Sequence, residues 1–230
     1  MTTDLRRSRL RGIVVTTALA LAACAEDPPA APHADDRLLV VDGITITLAD
    51  TAPYVAFLDS FLPEGGRKAK VRRALEEHLL PLRLAQRAFA AERADLLRQA
   101  RLLCEVATNA VELDQQSQLL PERHRGNLRR TAPKLPVAMF LFDPLHTGSV
   151  SEPLEVPMGY VVAASFDYLE SALLIDDRVD ALQVGFFTHD AAAWATWLVA
   201  EQARVADTVT HVHPDYREAM PGWLHLPRLQ

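Results

Sequence analysis

The chain carries two cysteines, and their surroundings predict different chemistry for each. Cys24 directly follows small residues at the end of an apolar run, whereas Cys104 lies in a leucine-rich stretch. The thiolate is the reactive form of cysteine, and neighbouring positive charge is what lowers a thiol pKa. Because Cys104 has no adjacent positive charge, we predict a buried structural thiol there. Chemistry at Cys24 depends on the segment before it.

The histidines are the next residue type with chemical potential. His211 and His213 alternate on a predicted strand, so their rings share one face and could hold a metal ion. No third ligand is evident, although His189 and His225 lie elsewhere in the chain. We therefore interpret the pair as surface or capping histidines and predict no metal site.

Other clusters of polar and aromatic residues have structural interpretations. Asp176, Asp177 and Asp180 are expected at a solvated helix start, and Trp194 and Trp197 in a core. The sequence contains no G-x-S-x-G, no H-E-x-x-H and no phosphate-binding loop. We predict no catalytic residue and no cofactor.

The N-terminal segment has the order of a secretory signal. Four arginines lie between residues 6 and 11, and an apolar run from Ile13 to Ala23 follows. The run is too short to span a bilayer, which takes about 20 apolar residues. The sequence Leu21-Ala22-Ala23-Cys24 resembles the lipobox of bacterial lipoproteins. This resemblance implies cleavage after residue 23 and acylation of the Cys24 thiol.

Lipidation would determine where the chain resides. Several acyl chains on one cysteine give lasting attachment, at about 0.8 kcal/mol for each buried methylene. In the sorting of such lipoproteins, the residue after the lipidated cysteine matters, and here it is Ala25 and not an aspartate. The resemblance therefore implies the outer membrane rather than the inner one, with the folded part on the periplasmic side. Cleavage removes four arginines and one aspartate, which shifts the formal charge from −6 to −9. Such an acidic chain without a basic stripe is not expected to bind nucleic acid.

The first half of the remaining chain predicts mainly helix. Leu38 to Leu48 contains two β-rich runs separated by Asp42-Gly43, which favours a hairpin. Asp50 or Thr51 is expected to cap a first helix that ends near Leu62. Helical periodicity resumes at Arg67, where Pro81 should kink or divide the helix, and a further helical run covers about 92–119.

The second half of the chain predicts short strands as well as helix. Residues 121–136 are predicted as a connector and Val137 to Phe142 as a short strand. Turn residues and another strand follow over 148–164, then helix over 168–205 and a last strand over 208–212. Helical parts around a small β-rich region give the α+β class.

One segment resembles a known family. Gly148, Val150, Ser151 and Pro153, followed by Gly159-Tyr160, look like the closing part of a parvulin-type peptidyl-prolyl isomerase domain. The regions on either side are similar to the N-terminal module of SurA/PrsA-like foldase chaperones, in which a C-terminal helix and strand return to complete the first module. Residues 190–216 fit that return.

The resemblance implies a division of the chain. The predicted units are a signal peptide (1–23), a lipidated cysteine with a flexible tether (24–37), an N-terminal helical module (38–131), a small inserted parvulin remnant (132–170) and the C-terminal helix and strand that complete the module (171–230).

The sequence departs from the family where catalysis is concerned. The family has a histidine directly after Gly-Tyr in its last strand, but this chain has Val161. If Val137–Phe142 is the first strand, the other expected histidine falls near Met139. Residues 132–170 are also about half the length of a working domain. Isomerase activity is therefore expected to be weak or lost.

Three functions remain open at the sequence level. The first is a membrane-anchored periplasmic foldase-like chaperone that binds unfolded or exported polypeptides. The second is an accessory or structural envelope lipoprotein that docks to one fixed partner. The third is an active peptidyl-prolyl cis-trans isomerase, which requires that the missing histidines are dispensable.

Overall fold

The chain is described by a computed structural model over residues 36–227. These residues form helices and two antiparallel sheets, which is the predicted α+β class. The strands are β1 (Arg37–Val41), β2 (Ile44–Thr47), β3 (Arg123–Arg129), β4 (Leu154–Val156), β5 (Gly159–Leu169), β6 (Arg178–Phe187) and β7 (Val209–Val212). The α-helices are α1 (Leu48–Phe61), α2 (Arg67–Ala74), α3 (Leu80–Ala88), α4 (Ala90–Val106), α5 (Ala110–Gln116), α6 (Leu135–Leu141) and α7 (Ala191–Val205).

The first sheet joins the two ends of the described chain in the order β2-β1-β7. The predicted hairpin is confirmed: Asp42 and Gly43 connect β1 to β2 with φ angles of 49° and 75°. Both residues thus have the positive φ that a two-residue hairpin turn requires. The predicted last strand is also confirmed, because β7 pairs antiparallel with β1.

Helix α1 begins earlier than predicted. Its N-cap is Thr47, not Asp50 or Thr51. The Thr47 hydroxyl accepts from the Asp50 backbone N–H at 3.2 Å, and the Thr47 N–H donates to the Asp50 carboxylate at 2.8 Å. This reciprocal capping box satisfies two donors that would otherwise have no partner at the helix start.

The helical run after Arg67 contains a π-helical turn over Leu75–Leu79, which connects α2 to α3. The backbone N–H of Leu80 donates to the Leu75 carbonyl, five residues back. Pro81 follows at once and cannot donate a backbone hydrogen bond. The disruption predicted at Pro81 thus takes the form of one wider, π-helical turn rather than a break.

The second sheet has the order β3-β6-β5-β4 and is covered on both faces. One face packs against α4 and α5 through a core that includes Leu103, Val162 and Val184. The other face packs against α6 through Val161 and Ala163. Alternate residues of β5 therefore serve two different cores, as the two-residue period of a strand dictates.

Three elements differ from the sequence prediction. Residues 123–129 form strand β3 instead of a connector, and 178–187 form strand β6 instead of part of a helix. Val137–Phe142, predicted as a strand, belongs to helix α6 and its C-cap. Because the segment is helical, Met139 does not occupy the first-strand position to which the resemblance assigned it. The four-stranded sheet spans 123–187 and so extends beyond the range 132–170 on both sides.

Candidate functional site

A groove of about 340 Å³ opens on the α6 face of the four-stranded sheet. Residues from β3, β5 and β6, from the turn before β5 and from the loops next to α6 and α7 line it. The lining residues are Glu122, His124, Leu128, Ala132, Pro133, Lys134, Val156, Pro157, Met158, Val161, Gln183, Phe187, His189, Asp190 and Ala191. The groove is thus assembled from parts of the chain up to 69 residues apart.

The apolar part of the groove comes from the sheet and from the β4–β5 turn. Val161 on β5, Leu128 on β3 and Phe187 on β6 contribute side chains from three adjacent strands. Val156 and Met158 extend this surface along the turn. An apolar surface with a few polar groups around it is the usual composition of a binding groove.

The polar groups of the groove are two histidines, a lysine, a glutamine and two acids. His189 packs its ring against Phe89 with 4.8 Å between ring centroids, and its buried Nδ1 has no hydrogen-bond partner within residues 36–227. The carboxylate of Asp190 accepts from the Ala193 N–H at 2.8 Å and caps α7. The side chains around the groove can donate to and accept from peptide groups. None is a serine, threonine or cysteine nucleophile.

Two further cavities adjoin the groove through shared lining residues. One, of about 280 Å³, shares Pro157 and Met158 with the groove and extends to Pro81 and Trp194. The other, of about 360 Å³, shares Phe187 and extends to Leu96 and Leu120. An elongated ligand could therefore contact the helices α3, α4 and α7 as well as the sheet.

The predicted motif residues lie beside β5 and not in the groove. Gly148 has a φ of 82°, and its N–H donates to the Ser165 carbonyl at 2.8 Å. Val150 forms a bridge with Ala164. Ser151 bonds Ala163 twice, through its N–H to the carbonyl at 2.8 Å and through its hydroxyl from the N–H at 2.9 Å. These residues extend the edge of the sheet.

The rest of the motif shapes the hairpin that carries Met158. Pro153 directly precedes β4, and Gly159 begins β5 with a φ of 155°. Tyr160 faces away from the groove toward the α4 core, and the Arg93 guanidinium lies 5.3 Å from its ring centroid. The motif thus positions the groove without lining it.

Arg93 on α4 holds the β4–β5 turn in place. The side chain is buried and donates to the Pro157 carbonyl at 2.8 Å and to the Val156 carbonyl at 3.1 Å. It also pairs with the Glu155 carboxylate at 2.9 Å, which accepts from Gln86 at the same distance. A buried arginine with this many carbonyl partners fixes the backbone that presents Met158.

His78 in the π-helical turn is the most deeply buried histidine described. Its Nε2 lies 2.8 Å from the Tyr54 hydroxyl, and its Nδ1 has no partner within residues 36–227. Burial lowers the pKa of His78 from 6.5 to about 4, and the charges of Arg83 and Arg93 act in the same direction against that of Glu155. His78 is therefore neutral at pH 7.

We expect His78 to make folding stability depend on pH. Because its pKa is lower when folded, the unfolded chain binds the proton more readily, and stability falls as the pH drops from about 6.5 to 4. The loss approaches about 1.4 kcal/mol for each pH unit in that window. Urea unfolding at pH 7 and pH 5 measures it. The His78→Phe variant should show a smaller difference between the two pH values, whereas the exposed His124→Gln control should match the parent. An equal pH dependence in all three would contradict the prediction.

Cys104, for which the sequence predicts a structural thiol, is half-buried in α4. Its thiol donates to the Ser151 carbonyl at 3.4 Å. Burial, with the charge of Glu152, raises the pKa of Cys104 to about 11. The thiol is therefore protonated at neutral pH, in agreement with a structural role.

The two histidines of the predicted last strand have separate roles. His211 lies on β7 with Nε2 3.1 Å from the Arg37 carbonyl. His213 lies beyond the strand, where its Nδ1 accepts from the Asp215 N–H at 3.3 Å and its ring packs edge-on against Tyr216. No group of three or more His, Cys, Asp or Glu side chains within 36–227 is placed to hold a metal ion.

The solvated helix start predicted for the acidic cluster is wrong. Asp177 is buried and pairs with Arg130 at 2.7 Å, and Asp180 lies on β6, where it pairs with Arg125 at 3.1 Å. Trp194 is buried, and Trp197 packs against it and against the N-terminal core, a cluster of side chains that includes Leu38, Val55 and Val71. The core interpretation of the tryptophans therefore holds.

Sequence reasoning missed most of the groove. His124, Leu128 and Phe187 lie on strands that were predicted as connector or helix, so no pattern placed them together. Cys24, the signal segment and nearly all of the tether lie outside the described residues. Among residues 36–227, no helix is long and apolar enough to cross a membrane.

The whole chain, which includes the groove and its supporting motif, has no detected similarity to known proteins. Neither protein-family models, nor curated proteins, nor solved structures give a match to it.

Proposed function

We propose that this chain is a lipid-anchored foldase-like chaperone of SurA/PrsA type, which binds unfolded or exported polypeptides on the periplasmic side of the outer membrane. Its peptidyl-prolyl isomerase activity is weak or lost. The observation that carries the proposal is the apolar groove with Val161 in it. Val161 follows Gly159-Tyr160, the position at which the parvulin resemblance implies a histidine.

The groove suits an extended polypeptide better than a compact small molecule. Its two neighbouring cavities share residues with it, so the accessible surface extends beyond the apolar groove itself. Met158 supplies an adaptable apolar contact and Phe187 and Pro157 supply rigid ones, while His124 and Gln183 supply hydrogen-bonding groups. Apolar contact with side chains plus hydrogen bonds to the backbone is how many proteins bind peptides of varied sequence.

The chemistry of the groove argues against efficient isomerisation. Rotation about a peptide bond has a barrier of about 18–20 kcal/mol, and lowering it takes polar groups aimed at the twisting bond. Val161 offers an isopropyl group where the family has an imidazole. His124 is largely exposed and lies 3.7 Å from Glu122. A groove of this kind binds a chain without strongly polarising it.

The order of elements supports the same proposal. The helix α7 and strand β7 follow the four-stranded sheet, and β7 pairs with β1 at the other end of the chain. In the resemblance, a returning helix and strand complete the first module in the same order. This order of elements is what supports the inserted sheet domain in the proposal.

The test is suppression of aggregation by residues 25–230 prepared without lipid. We expect near-stoichiometric amounts to reduce the light scattering of two unrelated aggregating proteins. Met158→Glu places a charge in the groove and should remove most of the effect, because a buried charge without a partner is strongly unfavourable. Val111→Glu is the matched control, since Val111 is exposed on α5 and does not line the groove.

The outcomes separate the proposal from its alternative. Loss of suppression in Met158→Glu alone supports a polypeptide-binding groove. If the parent chain suppresses neither protein, the chaperone proposal fails, and an accessory lipoprotein with one fixed partner becomes the better account. If Val111→Glu loses as much as Met158→Glu, the suppression does not arise from the groove.

A further inference from the structure

Another cavity, of about 400 Å³, lies at the opposite end of the four-stranded sheet. It is formed where β5 ends and β6 begins, beside the C-terminal part of α1. Its lining residues are Ser60, Arg130, Phe142, Pro144, Tyr168, Glu170, Ser171, Leu174 and Asp177. None of them lines the groove that contains Val161.

The base of this cavity is a buried ion pair. Arg130 and Asp177 expose 6% and 1% of their surface. Arg130 donates through Nη2 to Asp177 at 2.7 Å and to the Tyr168 hydroxyl at 2.6 Å, and through Nε to the Leu174 carbonyl at 3.0 Å. Its Nη1 makes no hydrogen bond within residues 36–227 and is not among the fully buried atoms without partners. Because Arg130 lines the cavity, Nη1 is the guanidinium nitrogen that remains available to a molecule there.

The charge of the cavity selects against a negatively charged ligand. The Asp177 carboxylate already balances the Arg130 guanidinium, and Glu170 adds a second negative charge at the lining. A ligand carboxylate would lie near those of Asp177 and Glu170, and Arg130 is the one cation among the lining residues. A neutral acceptor such as a peptide carbonyl can take the Nη1 hydrogen bonds without that repulsion.

The wall of the cavity is apolar and partly exposed. Phe142, Pro144 and Leu174 line it, and Leu174 is 51% exposed. Leu173 and Leu145, next to lining residues in the sequence, are also exposed. An exposed apolar wall beside a polar base suits a polypeptide segment, which offers an apolar side chain next to a backbone carbonyl.

We propose that this cavity docks an uncharged, extended segment of a partner polypeptide. One apolar side chain of that segment packs against Phe142, Pro144 and Leu174, and the adjacent backbone carbonyl accepts from Nη1 of Arg130. The two ends of the β5–β6 pairing, Gly159↔Phe187 and Leu169↔Arg178, are about 30 Å apart at the rise of a strand. The docking site is therefore separate from the groove and does not depend on its function.

The test uses N-acetyl-L-leucine amide as the probe and the ¹⁵N-labelled mature chain, observed by NMR. We expect saturable shifts of the Ser171 and Leu174 amides with a roughly millimolar dissociation constant, as suits a ligand of this size. N-acetyl-L-leucine, which carries a carboxylate, and N-acetylglycine amide, which lacks the side chain, should each bind about tenfold more weakly.

Two variants locate the binding. Ser60→Trp fills the mouth of the cavity without touching the ion pair and should abolish the shifts. Ala56→Trp, one turn earlier on the exposed side of α1, should leave them unchanged. The proposal is overturned if no saturable shift occurs, if Ser60→Trp binds like the parent, if the carboxylate probe binds as tightly as the amide, or if the shifts occur only around Val161.

Discussion

Replacing Asp177 by alanine is expected to lower the free energy of unfolding by about 3–5 kcal/mol, because it leaves the buried Arg130 guanidinium without its counter-ion. Burial alone would raise the pKa of Asp177, but hydrogen bonds from Tyr168, from the Ser171 N–H and from Arg130 outweigh it and lower the pKa. The carboxylate is thus charged in the fold, and its partners are arranged for that charge. Urea unfolding at pH 7 measures the loss.

The matched control for Asp177, which directly precedes β6, is Asp180, three residues later on that strand. Its ion pair with Arg125 is partly exposed, so Asp180→Ala should lose less than about 1 kcal/mol. The double variant Arg130→Met, Asp177→Leu removes both charges and should recover much of the stability, because apolar side chains can replace a buried pair. Similar losses for Asp177→Ala and Asp180→Ala would show that burial does not set the strength of these pairs.

Replacing Gly159 by alanine is expected to be at least as damaging as many core truncations, with a loss of about 3 kcal/mol or more. Gly159 has a φ of 155°, and a Cβ there would lie 2.0 Å from the Phe186 carbonyl oxygen. Both partners are backbone in paired strands, so neither can move without disturbing the β5–β6 register. Thermal or urea unfolding would show the loss.

Gly126 on β3 provides the control for Gly159. It also lies in the four-stranded sheet, but a Cβ there meets nothing within 4 Å. Gly126→Ala should therefore change stability by no more than about 1 kcal/mol. A Gly159→Ala variant as stable as Gly126→Ala would mean that the β4–β5 turn relaxes easily, and then Met158 would be held less firmly in the groove than the hydrogen bonds of Arg93 to its neighbours Val156 and Pro157 indicate.

The parts of the fold that sequence predicted well are those with local signals. Asp42-Gly43 fixes the hairpin through its own backbone preferences, and Pro81 disturbs its helix because the ring removes a donor. The motif around Gly148 and Gly159 also lies at turns where φ is positive. Each of these features depends on residues close together in the chain.

The errors arose where distant partners decide the structure. The β3 sequence, RHRGNLR, has little apolar alternation, and it becomes a strand through pairing with β6 and through ion pairs of Arg123 and Arg125 with Asp114. The short apolar run at Val137 fits strand or helix equally by pattern, although Pro136 near its start suits a helix.

The same reason explains why the candidate sites were missed. The partner that buries Asp177 is Arg130, 47 positions earlier, so nothing near Asp177 in sequence marks it as buried. The groove likewise combines β3, the β4–β5 turn and the end of β6. Only the motif beside it, at 148–160, had a recognisable pattern, and that pattern predicts the support of the groove rather than its lining.

The pairing of β1 with β7 also determines the order in which the fold can be completed. Leu39 pairs with Val212, 173 positions later, so closing this sheet requires one of the longest loops the chain can form. During synthesis or passage through a membrane from the N-terminus, the β1–β2 hairpin can form early. The other edge of β1 stays unpaired until β7 is available. Contacts of such high sequence separation slow folding and leave an unpaired strand edge exposed until late. The N-terminal core, to which β1 contributes Leu38 and Leu39, is therefore expected to be the last region to reach its final stability.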